Sequence, residues 1–496
     1  MFDRPLKVLF VSSEVVPFAK VGGLADVAGS LPKALAVGAD EQGNDVRVVM
    51  PHYKEIEGPQ YLLDFPVPLA GQLRTCILRE SKIDAQYKGE TKAVPVYFAA
   101  NYHFFYRDGI YAFHDDDQRF AFFCYAVLEM LPRLGWQPDV IHCNDWQTAP
   151  IPLLLKTQYA ANPFYQKTAT VFTIHNLQYQ GHFPRETLKL FGLGDEYFHP
   201  DRLEFYGKLN FMKAGLLYAD VINTVSRTYA QEIQTPALGE RLDGVLRMRS
   251  RDLYGILNGI NYHEFDPATD PRIHRNYSVD NLEGKKDNKF ALQKEMGLPF
   301  KDVPVLGIVS RLVAQKGLDL IAEIADELMH LDVQLVVLGT GDPYYHKVFE
   351  SLKNRYPQKM GVYLGFNPVL AQRIYAGADV FLMPSRFEPC GLGQLIAMRY
   401  GTIPVVRATG GLADTVTEFN PATLSGNGFV FTEYSGRELY AAIARALKLY
   451  RDNPEVWQRL VKNAMSLDFS WARSAVEYLQ LYREAISRSA VALRTA

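Results

Sequence analysis

"LKVLFVSSEVVPFAKVGGLADV", residues 6–27, reads in order as strand, loop, paired glycines and helix. Residues 6–14 form a continuous apolar run closing on small polar residues, which predicts a strand buried on both faces of a parallel sheet, because covered faces leave no polar alternation. After Gly22 and Gly23, the residues Leu24, Val27, Ala28, Leu31 and Leu35 recur at helical spacing, and "DVRVVMP" at 45–51 reads as the next strand. The glycine pair and its Leu-Ala-Asp return near the other end in "TGGLADTV", 409–416, again after a strand and before a helix. Glycine there permits close backbone approach, and the first N–H groups of a helix lack intrahelical partners, so each pair is placed to face a ligand beyond the strand's carboxyl end. Two purely structural turns are the alternative.

A chain of 496 residues exceeds what one hydrophobic core supports, so two large domains are expected. In the first half "DVIHCND" (139–145), "ATVFTIHN" (169–176) and "ADVINTVS" (219–226) continue the strand pattern. "YGILNGINYHEFDPATDPR" (254–272) changes character, its Gly, Asn and Pro suiting a linker. Beyond it the pattern restarts with "VPVLGIVSRL", "VQLVVLGTGD", "GVYLGFN", "DVFLMPSR" and "TIPVVRATGG", separated by amphipathic helices such as "GLDLIAEIADELMH". Strands alternating with helices predict a parallel, doubly wound α/β sheet in each half.

A hydrophobic fraction of 48%, 22% charged residues and no low-complexity tract describe an ordinary globular chain. The formal net charge of −2 argues against a general nucleic-acid or membrane-surface binder, which needs a broad basic field. Cys76, Cys124, Cys143 and Cys390 are far apart and have neither disulfide-framework nor metal-ligand spacing, which suits a reducing cytosol. The start lacks a small-residue cleavage site and no stretch approaches the ~20 apolar residues of a membrane span, so the chain is expected to be soluble and cytoplasmic.

Three constellations carry chemistry. "SRLVAQKG" (310–317) places Arg311 and Lys316 in a strand-end loop, where a guanidinium fork and a compact ammonium complement a diphosphate. Solvated surface charge is the plainer reading of both. "SRFEPCGLGQ" (385–394) sets Glu388 at a strand-to-helix turn shaped by Pro389 and Gly391, poised to accept hydrogen bonds from hydroxyls; helix capping is its plainer role. "HCNDWQTA" (142–149) and "FTIHNLQYQG" (172–181) put Asp145 and His175 beyond predicted strands. Other matches carry less. "HDDDQRF" (114–120) has an Asp-x-Asp spacing that reads first as a solvated loop, "NYHFFYRDGIYAF" (101–113) as core aromatics, and "GTGDP" (339–343) as an incomplete nucleotide loop.

Together "KVGGLADV", "HCNDWQTA", "FTIHNLQYQG", "GILNGI", "SRLVAQKG", "PSRFEPCGLGQ" and "TGGLADTV", in this order and spacing and with the closing "FSWARSAVEYLQLY", resemble the bacterial glycogen synthases and plant starch synthases along essentially the whole chain. The resemblance implies the GT-B architecture: Rossmann-like domains at 1–255 and 256–468 facing across a deep cleft, with residues 469–496 returning as a helix to the first. It implies a retaining transferase that moves glucose from ADP-glucose to an α-1,4-glucan, with no metal and no cofactor, and leaves the oligomeric state open. Carried over by position, Lys20, Gly22 and Gly23 line the donor site. Asp145 and His175 meet the transferred glucose and the acceptor side, and Asn258 lies near the site. Arg311 and Lys316 hold the diphosphate, Glu388 the glucose hydroxyls, and Cys390, Gly391, Leu392, Gly410 and Gly411 border the sugar and phosphate. Phe366 stands where an aromatic stacks on adenine. Two positions depart from the family pattern: Gly393 replaces a hydroxyl residue, and Ile396 replaces a second glutamate. A dehydrogenase with two nucleotide-binding domains is disfavoured, since no complete Gly-x-Gly-x-x-Gly occupies the first strand-to-helix turn.

Overall fold

A computed structural model describes residues 4–37, 43–87 and 90–495. The chain divides into two compact units, Met1–Gly259 with Trp471–Ala496, and Ile260–Ser470. The sequence reading places those divisions at 255/256 and 468/469; residues 1–3 and 496 of its outer domains lie outside the described residues.

The first unit is built on β1 (Lys7–Val11), β2 (Asp45–Pro51), β3 (Gln60–Leu69), β4 (Gln72–Tyr87), β5 (Glu90–Ala100), β6 (Val140–Asn144) and β7 (Ala169–Ile174). A small antiparallel sheet follows from β8 (His182–Phe183), β9 (Glu204–Phe205) and β10 (Lys208–Asn210), and then β11 (Val221–Thr224) and β12 (Leu253–Gly255) complete the large one. The large sheet has nine strands in the order β12-β11-β7-β6-β1-β2-β5-β4-β3. Its β12-to-β5 part is parallel, but β4 runs antiparallel to both β5 and β3, so the expectation of a wholly parallel sheet is corrected to a mixed one. The cause is local. In β3, buried Phe65, Val67 and Leu69 alternate with exposed or half-exposed neighbours, the period of a strand with one wet face, and Ala70 and Gly71 turn the hairpin at positive φ.

The second unit carries β13 (Val305–Val309), β14 (Gln334–Gly339), β15 (Met360–Leu364), β16 (Val380–Met383), β17 (Ile403–Arg407) and β18 (Phe429–Phe431), all parallel, in the order β15-β14-β13-β16-β17-β18. Its helices follow the sequence periodicity: Leu318–His330 buries Leu318, Ile321, Ile324, Ala325 and Leu328 on one stripe. Strand order reverses between β1 and β6 in the first unit and between β13 and β16 in the second. Ligands of open α/β sheets bind beyond the strand ends at such reversals, where the two adjoining loops diverge.

The last helix, Trp471–Thr495, packs within the first unit on the helix Gly23–Val37 and on β6, β7 and β11. Its buried face is partly polar. Tyr482 Oη lies 2.9 Å from His142 Nδ1, whose Nε2 lies 2.6 Å from Thr173 Oγ1, and Asn223 Nδ2 donates to Tyr478 Oη at 3.0 Å. Burial drives the His142 pKa well below its ordinary value, so a neutral ring joins helix to sheet. Among the described residues no helix is long and apolar enough to cross a membrane.

Candidate functional site

In the second unit, loops from four strand ends meet at the reversal. The loop after β13 is stitched to the loop after β16: Arg386 N donates to Gln315 O at 2.9 Å and Gln315 Nε2 to Phe387 O at 3.3 Å. The loop after β14 joins it through Asp342 N to Leu312 O at 2.8 Å. These stitches set Lys316 Nζ 2.7 Å from Glu388 Oε2, with Ser385 Oγ donating to the same oxygen at 3.0 Å. The lysine side chain is 18% exposed and the glutamate 7%, so the pair is nearly shielded from solvent. Glu388 Oε1 has no partner among the described residues, and two of the three ammonium donors remain. Arg311 is exposed and has no carboxylate partner among the described residues; its guanidinium donates to Gln315 Oε1 at 3.4 Å.

The second glycine pair fits against this loop. Gly410 sits at φ +45°, and a Cβ there would stand 1.9 Å from Glu388 O; at Gly411 a Cβ would stand 2.1 Å from Cys390 O. Gly411 N donates to Glu388 O at 3.1 Å. The pair lets the β17 loop lie directly on the backbone of Glu388, Pro389 and Cys390. Gln394, absent from the sequence expectations, is fully buried and donates to Cys390 O and Gly391 O, both at 3.0 Å, fixing the turn that carries Leu392. Both departures have steric correlates. A Cβ at Gly393 would meet the Phe381 ring at 3.0 Å, and Ile396 is buried in the unit's core. Phe366, just past β15, is 81% exposed.

In the first unit the β1 and β6 loops carry the corresponding groups. Asp145 follows β6 in the left-handed region at φ +57°, a strained position for a non-glycine. Its Oδ1 accepts the His175 backbone N–H at 2.8 Å, and burial pushes the carboxyl up to about 7. His175 Nε2 lies 2.8 Å from Asn144 Oδ1; the Asn144 amide donates to Val11 O at 3.0 Å, which fixes its oxygen toward the imidazole. His175 therefore carries its proton on Nε2 and presents Nδ1 as an acceptor, and burial holds its pKa at about 3. Lys20 pairs with Asp26 at 2.6 Å on the surface beside Gly22 and Gly23. Asn258, beyond β12, is buried, and its Oδ1 has no hydrogen-bond partner among the described residues.

One expectation is corrected here. The acids of 115–117 are not a solvated loop: Asp115 pairs with Arg107 at 2.6 Å, Asp116 with the fully buried Arg119 at 2.5 Å, and Asp117 accepts from Thr187 Oγ1 at 2.7 Å. Their partners stand close in sequence, Arg107 eight residues before Asp115 and Arg119 three after Asp116. That spacing is the signal by which the pairs could have been read.

Two family models match: "starch synthase catalytic domain" over residues 7–248 and "glycosyl transferases group 1" over 290–466. Glycogen synthase of Desulforudis audaxviator is 68% identical over 490 residues, 98% of each chain. That of Moorella thermoacetica is 57% identical over 99% of each chain, and that of Thermotoga maritima 50% over 97% of this chain and 99% of its own. Among solved structures, the catalytic domain of starch synthase IV from Arabidopsis thaliana, bound to ADP and acarbose, superposes with a TM-score of 0.86 at 35% identity, covering 97% of this chain and 100% of that one. Sucrose-phosphate synthase from Thermosynechococcus elongatus shares the fold at 18% identity and a TM-score of 0.60, over 98% of this chain and 99% of its own.

Proposed function

We infer the reaction from one premise: the chain belongs to the glycogen synthase family of glycosyltransferases, with the GT-B fold. On that premise we propose that it transfers glucose from ADP-glucose to the non-reducing end of an α-1,4-glucan, retaining the anomeric configuration and releasing ADP.

The observation that carries this reading is the Lys316–Glu388 pair at the strand-order reversal of the second unit. One ammonium proton orients the glutamate and two remain for diphosphate oxygens. Arg311 supplies a second cation with no competing carboxylate among the described residues. Negative charge grows on the diphosphate as the glucosyl bond breaks, and preorganised cations stabilise that state more than the bound donor. Glu388 Oε1 accepts a glucose hydroxyl. Cys390, Gly391, Leu392, Gly410 and Gly411 supply the backbone edge along sugar and phosphate.

From the first unit we assign Lys20, Gly22 and Gly23 to the donor, Asp145 and His175 to the glucose and the incoming 4-hydroxyl, and Asn258 to the neighbourhood of the site. His175 Nδ1 accepts from a sugar hydroxyl. The reading assigns leaving-group charge to Arg311 and Lys316 and calls on no metal or cofactor. Four buried cysteines that form no disulfide among the described residues, and a formal net charge of −2, support a cytoplasmic enzyme working on a neutral polymer.

Adenine recognition is assigned to Phe366. A stacking ring contributes alike to ground and transition states, so Phe366→Ala raises the ADP-glucose KM by about tenfold while kcat changes little. Initial rates with ADP-glucose and UDP-glucose, on parent and variant, test this. A KM for ADP-glucose equal to the parent's removes Phe366 from the adenine pocket.

A further inference from the structure

Glu14 follows β1 by three residues and is 4% exposed, yet its carboxylate is turned toward an exposed loop. Oε2 accepts the backbone N–H of Val21 at 2.5 Å and of Gly22 at 2.9 Å, and Oε1 accepts the Tyr111 hydroxyl at 2.6 Å. Packing does not hold this loop. Val21 is 60% exposed, and, chain neighbours and the helix's own backbone aside, no atom of the described residues stands within 4 Å of where a Cβ at Gly22 or Gly23 would be. Besides a long backbone bond from Ala25 N to Gly22 O at 3.3 Å, the loop is tied by the Lys20–Asp26 pair at 2.6 Å, whose side chains are 50% and 34% exposed, and exposed pairs hold little. A buried carboxylate taking two main-chain donors is the firm anchor, because charge-assisted bonds are stronger than neutral ones and a buried charge must be paired.

Tyr111 is itself braced. It sits on the aromatic-rich segment 101–113. Arg119 donates to Phe104 O at 2.7 Å and Ile110 O at 3.0 Å, and Asp116 accepts the backbone N–H of Ala112 at 3.0 Å. Ser13 Oγ lies 2.8 Å from the Tyr111 hydroxyl. The acids and aromatics of residues 101–119 thus end in one hydroxyl aimed at Glu14.

We propose that Glu14 is a positioning residue whose carboxylate, braced by Tyr111, fixes the Lys20–Gly23 loop for the nucleotide-sugar donor. The proposal rests on the assignment of that loop to the donor, made above. It also distributes the loop's donors. The N–H groups of Val21 and Gly22 are spent on Glu14, leaving Lys20 Nζ and the Gly23 N–H for an anion.

Hydrogen exchange followed by mass spectrometry on the full chain, with KM and kcat for ADP-glucose, tests it. Glu14→Ala speeds exchange in the peptide containing Val21 and Gly22 about tenfold and raises KM about tenfold, with kcat less affected, as expected for loss of a charge-assisted bond. Glu14→Gln keeps both near the parent, because its amide oxygen accepts the two N–H groups while its nitrogen donates to Tyr111 Oη. Parent-like exchange in Glu14→Ala, or faster exchange with unchanged KM, overturns the proposal. Should Glu14→Ala fail to fold, Tyr111→Phe decides: a smaller rise in both quantities supports the brace, and parent values overturn it. Lys20→Ala separates the premise from the proposal. An unchanged KM there refutes the loop's role in donor binding, whereas a raised KM beside a parent-like Glu14→Ala refutes Glu14 alone.

Discussion

Lys316→Ala lowers turnover about 100-fold to 1,000-fold, the usual cost of removing one preorganised partner of transition-state charge. The structure adds a second consequence. Lys316 Nζ is 2.7 Å from Glu388 Oε2 in a nearly shielded pair, so deleting it leaves the carboxylate with Ser385 Oγ as its one donor among the described residues, and thermal stability falls as well. Lys316→Gln separates the two effects. Its amide still donates to Glu388 and keeps the melting temperature near the parent's, but it carries no charge for the diphosphate, so turnover stays low. Single-turnover rates and melting curves on both variants check this. Parent-level turnover in Lys316→Gln reduces the lysine to an architectural partner of Glu388.

Glu388→Ala is expected to be as damaging, and Glu388→Gln markedly less so. Retention by double displacement needs a carboxylate nucleophile on the far face of the sugar. Glu388 is occupied on Oε2 by Lys316 and Ser385, which suits orientation better than attack. The Asp145 carboxyl, raised to about 7 by burial, is not fully ionised at neutral pH, and its Oδ1 accepts the His175 backbone N–H. Substitution on the front face is the mechanism these placements favour, with the leaving diphosphate accepting the 4-hydroxyl proton as the new glycosidic bond forms. With its oxygen held by Lys316 and Ser385, the glutamine amide donates its N–H to the sugar hydroxyl oxygen, so Glu388→Gln keeps measurable activity and the retained configuration. Alanine leaves that hydroxyl unpaired, at a cost of about 1–3 kcal/mol beyond the lost orientation. Mass spectrometry of enzyme quenched during turnover reads the outcome; a glucosyl adduct on Glu388 or Asp145 makes that residue a nucleophile.

The parallel core of both sheets was legible because its strands are continuous apolar runs ending in small or charged residues, as in "LKVLFVSSE" and "VPVLGIVSRL". The antiparallel hairpin of β3 and β4 is fainter in sequence, because β3 alternates buried and exposed residues and carries Pro66 and Pro68, which weaken a strand pattern. Arg311, Lys316 and Glu388 could be found from position alone, each standing within ten residues of a strand end. What joins them could not. The Lys316–Glu388 contact spans 72 residues, and Tyr111 reaches Glu14 across 97, distances at which no local periodicity reports. The contacts of Gln394 are equally silent in sequence, because a glutamine inside a helical pattern gives no sign that it folds back onto Cys390 and Gly391.

The central claim, glucosyl transfer from ADP-glucose to a glucan, is tested most directly by incubating the protein with ADP-glucose labelled in the sugar, with and without glycogen primer, and counting label in the precipitated polymer. The account predicts primer-dependent incorporation that an α-1,4-specific exo-amylase releases as labelled maltose. No label in the polymer, or label resistant to that amylase, would contradict it.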